Sequence, residues 1–189
     1  TALSARVMAI QTEEAQLIMV VAELAFITHA LRQAILSKLA NVQDRELLLC
    51  ATHSHSGPSG FSHHLLYNAC NYGYSKSVFD GLCTRITEGI ERARHALQPA
   101  ILRVAAATIP YEVPVAFNRS LEAYHQNSGV RTAARPEYAT ERKSTCLRVD
   151  TEGGTPLGMV NWLGVHGTSV HGDNVLLHPD NKGMAAAAF

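Results

Sequence analysis

The segment ATHSHSGPSG, residues 51–60, sets two histidines one residue apart between an apolar run and a glycine-proline turn. Histidine titrates near neutral pH and is the commonest side-chain metal ligand, so His53 and His55 on a stiff turn can bind an ion or move a proton. Residues i and i+2 of an extended segment face the same way, which predicts both imidazoles in one cavity with Ser54 pointing away. Gly57 allows unusual backbone angles, and Pro58 removes a donor and stiffens the mount. His166, in NWLGVHGTSV, repeats the arrangement of a strand running into a glycine turn. A catalytic zinc typically takes three protein ligands and keeps one position for water, so His53 and His166 would need a further donor. Glu23, Asp173 and Asp180 qualify by composition only, and each reads first as a surface group or as one that orients the ligands.

The remaining signals are blander. His29 and His95 fall in helical segments and His125 in a polar loop, where a histidine is ordinarily a hydrogen-bonded structural or surface residue. A serine hydrolase would need a G-x-S-x-G elbow, and HSHSGP lacks the strand–serine–helix context that exposes a nucleophile. GTPLG and GDN resemble pieces of nucleotide-binding loops, but the chain has no G-x-x-x-x-G-K-[ST]. Asn118 to Ser120, NRS, matches the glycosylation acceptor pattern, which arises often by chance.

The elements that must hold these residues follow from apolar periodicity. Residues 17–21 form an aliphatic run, residues 30–40 carry Leu31, Ile35 and Leu39 at helical spacing, and residues 46–52 return to an apolar run. This predicts a β-α-β unit with a right-handed crossover and with His53 just past the second strand, where open α/β sheets hold their ligands. Residues 75–97 predict a packing helix, with Val78, Leu82, Ile86, Ile90, Ala93 and Leu97 on one stripe, stopped by Pro99. Residues 101–109 predict a strand, followed by about 35 polar, irregular residues, a length usual for functional or mobile loops. Residues 146–150 and 157–165 predict two strands joined by the hairpin turn TEGGTP, the second delivering His166 at its end.

Totals narrow the function classes. The chain of 189 residues can bury one core, and an apolar content of 47% is ordinary for a globular protein. Sixteen basic residues balance sixteen acidic ones with no basic run, so electrostatic capture of nucleic acid has no support. The longest apolar stretch, residues 17–27, contains Glu23 and falls short of the roughly 20 residues a membrane span needs. Cys50, Cys70, Cys83 and Cys146 form no C-x-x-C pair and read as buried free thiols. The chain begins without methionine or a recognisable leader, and residues 184–189 read as the first turn of a helix without a cap, so truncation is expected. No repeat or linker divides the chain, which reads as one domain, residues 1–189.

ATHSHSGPSG, HHLLYN, FNRSLEAYHQN, NWLGVHGTSV and DNKG, in this order and spacing, resemble the N-terminal catalytic region of the neutral ceramidases, also called neutral/alkaline non-lysosomal ceramidases. The resemblance covers nearly the whole chain, beginning with the β-α-β unit that contains HALRQAILSKL. It implies hydrolysis of the N-acyl bond of ceramide to sphingosine and a fatty acid, with zinc as cofactor. It implies that His53 and His166 are zinc ligands and that His55 is a neighbouring catalytic group contacting the zinc-bound water or the substrate. Arg119, in NRS, resembles the family's active-site arginine, which would hold polar groups of the substrate or the developing oxyanion. The family completes its site with a glutamate, a tyrosine and a serine further along, so residues 1–189 are expected to be part of the catalytic domain and inactive alone. Glu23 stands where the family often has aspartate, and Pro179 replaces a small residue before DNKG. Both departures bear on substrate preference.

The expected fold is α/β, mixed sheets with packed helices, incomplete. The expected partner is ceramide or another sphingolipid at a membrane surface, without a transmembrane span or nucleic acid. Secretion, or exposure at the outer membrane surface, follows from the resemblance alone. The alternatives are a zinc hydrolase of another lipid acyl amide and a non-catalytic lipid-binding fragment.

Overall fold

The aliphatic run in the first quarter of the chain becomes the central strand β2 (Gln16–Ala22), flanked antiparallel by β1 (Ala5–Gln11) and parallel by β3 (Leu47–Ala51). The structure, a computed structural model, describes residues 2–69, 71–128 and 135–189. The predicted β-α-β unit is present: β2, then α1 (His29–Leu36), then β3 beside β2. β1 was not predicted. Its alternation is diluted by Arg6 and flanking polar residues, and most of its residues are only half-buried.

Helix α1 begins where Thr28, in extended conformation, accepts a hydrogen bond from the Leu31 N–H through its side chain. That cap satisfies one of the helix's orphan donors. Leu31 and Ile35 then face inward, where they meet Ile18 and Val20 of β2 and Ile86 and Ile90 of α3 (Lys76–His95) in one apolar core with Phe61. α3 lies against β1, β2 and α1. Its buried face is Cys83, Ile86, Gly89 and Ile90, and a methyl at Gly89 would press on Val7 at 3.3 Å, so the glycine lets helix and strand approach. Leu97, assigned to the stripe from spacing, lies past the helix end and is exposed. Residues 167–189 complete this first compact unit, which also includes residues 1–97. They end in α5 (Asp180–Ala188), which begins four residues before the expected helical turn.

Residues 98–166 form a second compact unit around an antiparallel meander, β4 (Ile101–Thr108), β5 (Lys143–Asp150) and β6 (Pro156–Trp162). The predicted TEGGTP hairpin forms, with Thr151 N–H donating to the Thr155 carbonyl at 2.8 Å and Gly154 at a positive φ of 86°. Asp150, buried at the hairpin's base, accepts from Arg103 Nη1 at 2.5 Å and Arg148 Nε at 2.8 Å. The long loop contains the short helix α4 (Leu121–His125) and a short helical turn at Pro136–Ala139, so His125 closes a helix rather than lying in irregular loop. α2 is the single turn Leu65–Asn68 of the first unit.

The architecture is the expected α/β arrangement of mixed sheets with packed helices. Cys50, Cys83 and Cys146 are free thiols, and burial pushes the first two above the usual thiol pKa. Cys70 lies outside the described residues. Among the described residues, no helix is long and apolar enough to cross a membrane.

Candidate metal centre

Where β3 ends, the chain keeps following β2: Thr52 N–H donates to the Ala22 carbonyl at 2.9 Å and His53 N–H to the Leu24 carbonyl at 3.0 Å. His53 then turns into the left-handed region at φ 64°. The expectation of an extended segment is therefore corrected. The two rings converge because the backbone reverses at His53, not because of strand alternation. They meet edge to face with centroids 4.6 Å apart and Nε2 atoms 3.1 Å apart.

The tautomers follow from the partners. Nδ1 of His53 lies 2.5 Å from the carbonyl oxygen of Ala25, which can only accept, so Nδ1 carries the proton. In the neutral ring Nε2 is then left with a lone pair, and His55 Nε2–H donates to it. A main-chain carbonyl that orients an imidazole in this way is the usual support behind a histidine ligand.

The turn is anchored from below. Ser54 is fully buried, as expected of a residue pointing away from the rings, and its Oγ donates to the His178 carbonyl at 2.7 Å. His178 N–H returns a bond to the Ser56 carbonyl at 3.0 Å. His55 N–H donates to the Gly167 carbonyl at 3.3 Å. Gly167 sits so close to the turn that a methyl there would lie 2.2 Å from the His53 carbonyl oxygen. Glycine is thus required, and the residue before it in the chain is His166.

In the first unit the ring nitrogens of His53 and His55 stand together and both side chains are exposed, while His166, also exposed, ends the second unit. Such histidines could hold a metal ion. Neutral imidazoles suit zinc, but among the described residues this group contains no carboxylate, so these residues fit part of a catalytic zinc shell. β6 stops at Trp162, so His166 stands on the loop after the strand and not at its end.

The carboxylates singled out from sequence are elsewhere engaged. Glu23 is buried, not on the surface, and accepts from Ser4 N–H at 2.7 Å and Arg6 Nη1 at 2.5 Å. Asp180 is buried and accepts from the N–H groups of Ser169, Val170 and Asn181 at 3.0, 3.2 and 2.6 Å. Burial by itself would raise its pKa. The three N–H donors and the His178 ring outweigh that and hold it below the ordinary carboxylate value. Asp173 is exposed. Arg119 is exposed in the second unit, on the turn into α4, where Asn118 fixes the backbone by accepting from Ser120 N–H at 2.8 Å. Sequence reasoning missed Ala25 and Gly167. The glycine after His166 was a legible signal, whereas a carbonyl contact leaves no mark in residue type.

The family described as neutral/alkaline non-lysosomal ceramidase, N-terminal, matches residues 2–189. A neutral ceramidase of Mycobacterium tuberculosis is 30% identical over 181 residues, 93% of this chain and 28% of that protein. A neutral ceramidase of Pseudomonas aeruginosa is 31% identical over 176 residues, 90% of this chain and 25% of that protein. The crystal structure of the Pseudomonas aeruginosa neutral ceramidase superposes with a TM-score of 0.87 at 31% identity, over 96% of this chain and 29% of that one. A structure of a ceramidase complexed with C2 gives a TM-score of 0.86 at 31% identity, covering 96% and 28%. The chain therefore spans under a third of the length of these relatives.

Proposed function

This chain belongs to the neutral/alkaline non-lysosomal ceramidase family, and from that premise we propose that it forms the N-terminal part of a zinc-dependent amidohydrolase that cleaves the N-acyl bond of ceramide. The observation that carries the reading is the pairing of His53 and His55, with Nε2 atoms 3.1 Å apart, on a turn that Gly167, the residue after His166, holds in place. His53, through the Nε2 opposite the ring nitrogen that the Ala25 carbonyl holds, and His166 would hold the metal. When bound, zinc polarises a carbonyl oxygen and lowers the pKa of water to about 7.

The chain's own groups supply the rest. His55, whose Nε2 lies 3.1 Å from that of His53, would contact the attacking water as an acid or base or hydrogen-bond the substrate. Arg119 would bind polar groups of the substrate and the charge that develops on the amide oxygen. The histidine group contains no carboxylate among the described residues, and residues 1–189 by themselves are proposed to be inactive. The substrate's insolubility places the protein's work at a lipid surface, and secretion or display at the outer membrane face accords with that.

The test is fatty-acid release from ceramide by the full-length protein that contains this chain, with and without chelator, beside His53→Ala in that same protein. Release that needs metal and disappears in the variant supports the reading. A folded, zinc-loaded protein that leaves ceramide intact sinks it, and turnover of a different acyl amide would move the substrate class.

A further inference from the structure

The long loop of the second unit leaves β4 and returns to β5 as two limbs, residues 109–118 and 135–142, that are fastened to each other. Ile109 N–H donates to the Arg142 carbonyl at 2.9 Å. The Arg142 side chain, 3% exposed, donates in turn from Nε to the Ile109 carbonyl at 3.3 Å and from Nη2 to the carbonyls of Pro110 and Val113, the last at 2.7 Å. Its guanidinium lies 5.3 Å from the centre of the Tyr111 ring, which meets Tyr138 of the other limb edge to face at 4.6 Å. A buried cation is costly without acceptors, so these carbonyls are held firmly and the base of the loop is a closed seam.

The seam ends at Asn118. Its N–H donates to the Pro136 carbonyl at 3.0 Å and its Nδ2 to the Ala139 carbonyl at 3.3 Å, which attaches it to the opposite limb where Ala139 is buried. Its Oδ1 accepts from Ser120 N–H at 2.8 Å. That last bond makes a turn in which the side chain of residue 118 bridges over residue 119. The Ser120 carbonyl then accepts from Tyr124 N–H at 2.9 Å, so α4 starts from the same turn. Arg119, exposed, is the residue the turn encloses.

Backbone angles decide which rotamers a side chain can adopt, so a bracket that fixes the main chain of residue 119 sets the direction in which its long side chain starts. An arginine ordered at its root has less freedom to lose when its guanidinium binds. NRS, a glycosylation pattern by its letters, thus commits its asparagine to holding the arginine beside it.

We propose that Asn118 is the positioning residue for Arg119, tying it to the opposite limb and to Ser120 so that the guanidinium meets the polar groups of the substrate. This rests on the reading of Arg119 as a substrate-binding group. The experiment is a double-mutant cycle in the full-length protein that contains this chain: Asn118→Ala, Arg119→Ala and both together, with kcat/KM for ceramide, zinc content and thermal midpoint measured on each. Asn118→Ala is expected to lose about 10- to 100-fold in kcat/KM, the scale for misplacing a working group by about 1 Å, with zinc content at the parent's level. In the Arg119→Ala background the same substitution should change kcat/KM by less than about threefold, since nothing is left for it to position. Asn118→Ser keeps an oxygen that can accept from Ser120 N–H but is too short to reach Ala139; it should fall between parent and Asn118→Ala, and it carries the same cycle if the alanine variant does not fold. Losses that multiply in the double variant would overturn the proposal, because the asparagine would then act through something other than Arg119. So would parent-level turnover in Asn118→Ala beside a crippled Arg119→Ala, or zinc lost from Asn118→Ala. Failure of the underlying reading shows separately, as Arg119→Ala with the parent's turnover, and it removes the positioning role as well.

Discussion

The α-carbon of Gly167 is packed against the main chain of His53, so that a methyl group there would lie 2.2 Å from the His53 carbonyl oxygen and 3.1 Å from the Ser54 nitrogen. Both neighbours are backbone, so the clash has no flexible side chain to absorb it. Gly167→Ala should cost at least about 1–3 kcal/mol of stability, the usual range for overpacking. It should also displace the turn that bears His53 and His55. Denaturant unfolding and zinc content measured together check this, and a variant with the parent's stability and metal content would contradict it.

The roles proposed for the two neighbouring histidines separate in experiment. His53→Ala should lose bound zinc. His55→Ala should retain most of the metal but lose about 10²–10⁴-fold in turnover, the usual contribution of a positioned acid or base. Metal analysis and ceramide hydrolysis on the same preparations distinguish the two. Equal zinc loss in both variants would make His55 a ligand as well.

Asp180 links pH to stability. Its carboxyl is held below the ordinary value by the N–H groups of Ser169, Val170 and Asn181 despite burial. For a depressed carboxylate, the stabilisation is fully present above the unfolded pKa of about 3.9 and is lost as pH falls through the folded pKa. Asp180→Asn leaves at least one N–H without its acceptor and should cost about 1–3 kcal/mol at neutral pH. The difference between parent and variant should shrink as the solution is acidified below about pH 4. Thermal or denaturant unfolding followed from pH 7 downward reads this directly, and a difference independent of pH would rule it out.

Thr28 offers a purely structural control. Its side chain accepts from Leu31 N–H at 3.0 Å at the start of α1. Thr28→Ala should lower stability by about 1 kcal/mol. Zinc binding should not change. Unfolding midpoints for this variant calibrate how far a stability loss of that size perturbs the metal centre.

What the sequence by itself determined is the set of elements whose side chains repeat with a period. The aliphatic strand β2, helices α1 and α3 and the TEGGTP hairpin are set by local apolar spacing and turn chemistry, and all stand where expected. The pairing of histidines in HSHSGP and the glycine after His166 were also legible, because residue type alone limits what such positions can do. β1 escaped notice because its half-buried residues carry no clean alternation, and its place depends on the edge of β2 that it covers. Only the tertiary structure decided how the rings meet. His53 adopts a left-handed backbone that no motif announces, its tautomer depends on a carbonyl 28 residues earlier, and Ser54 is pinned by a carbonyl 124 residues later. Glu23 and Asp180, read from composition as surface or ligand-orienting groups, are buried with partners from distant segments: Ser4 N–H and the Arg6 side chain on Glu23, and the N–H groups of Ser169 and Val170 on Asp180. Local propensity is written along the chain, whereas such contacts arise only after the core has brought separate segments together.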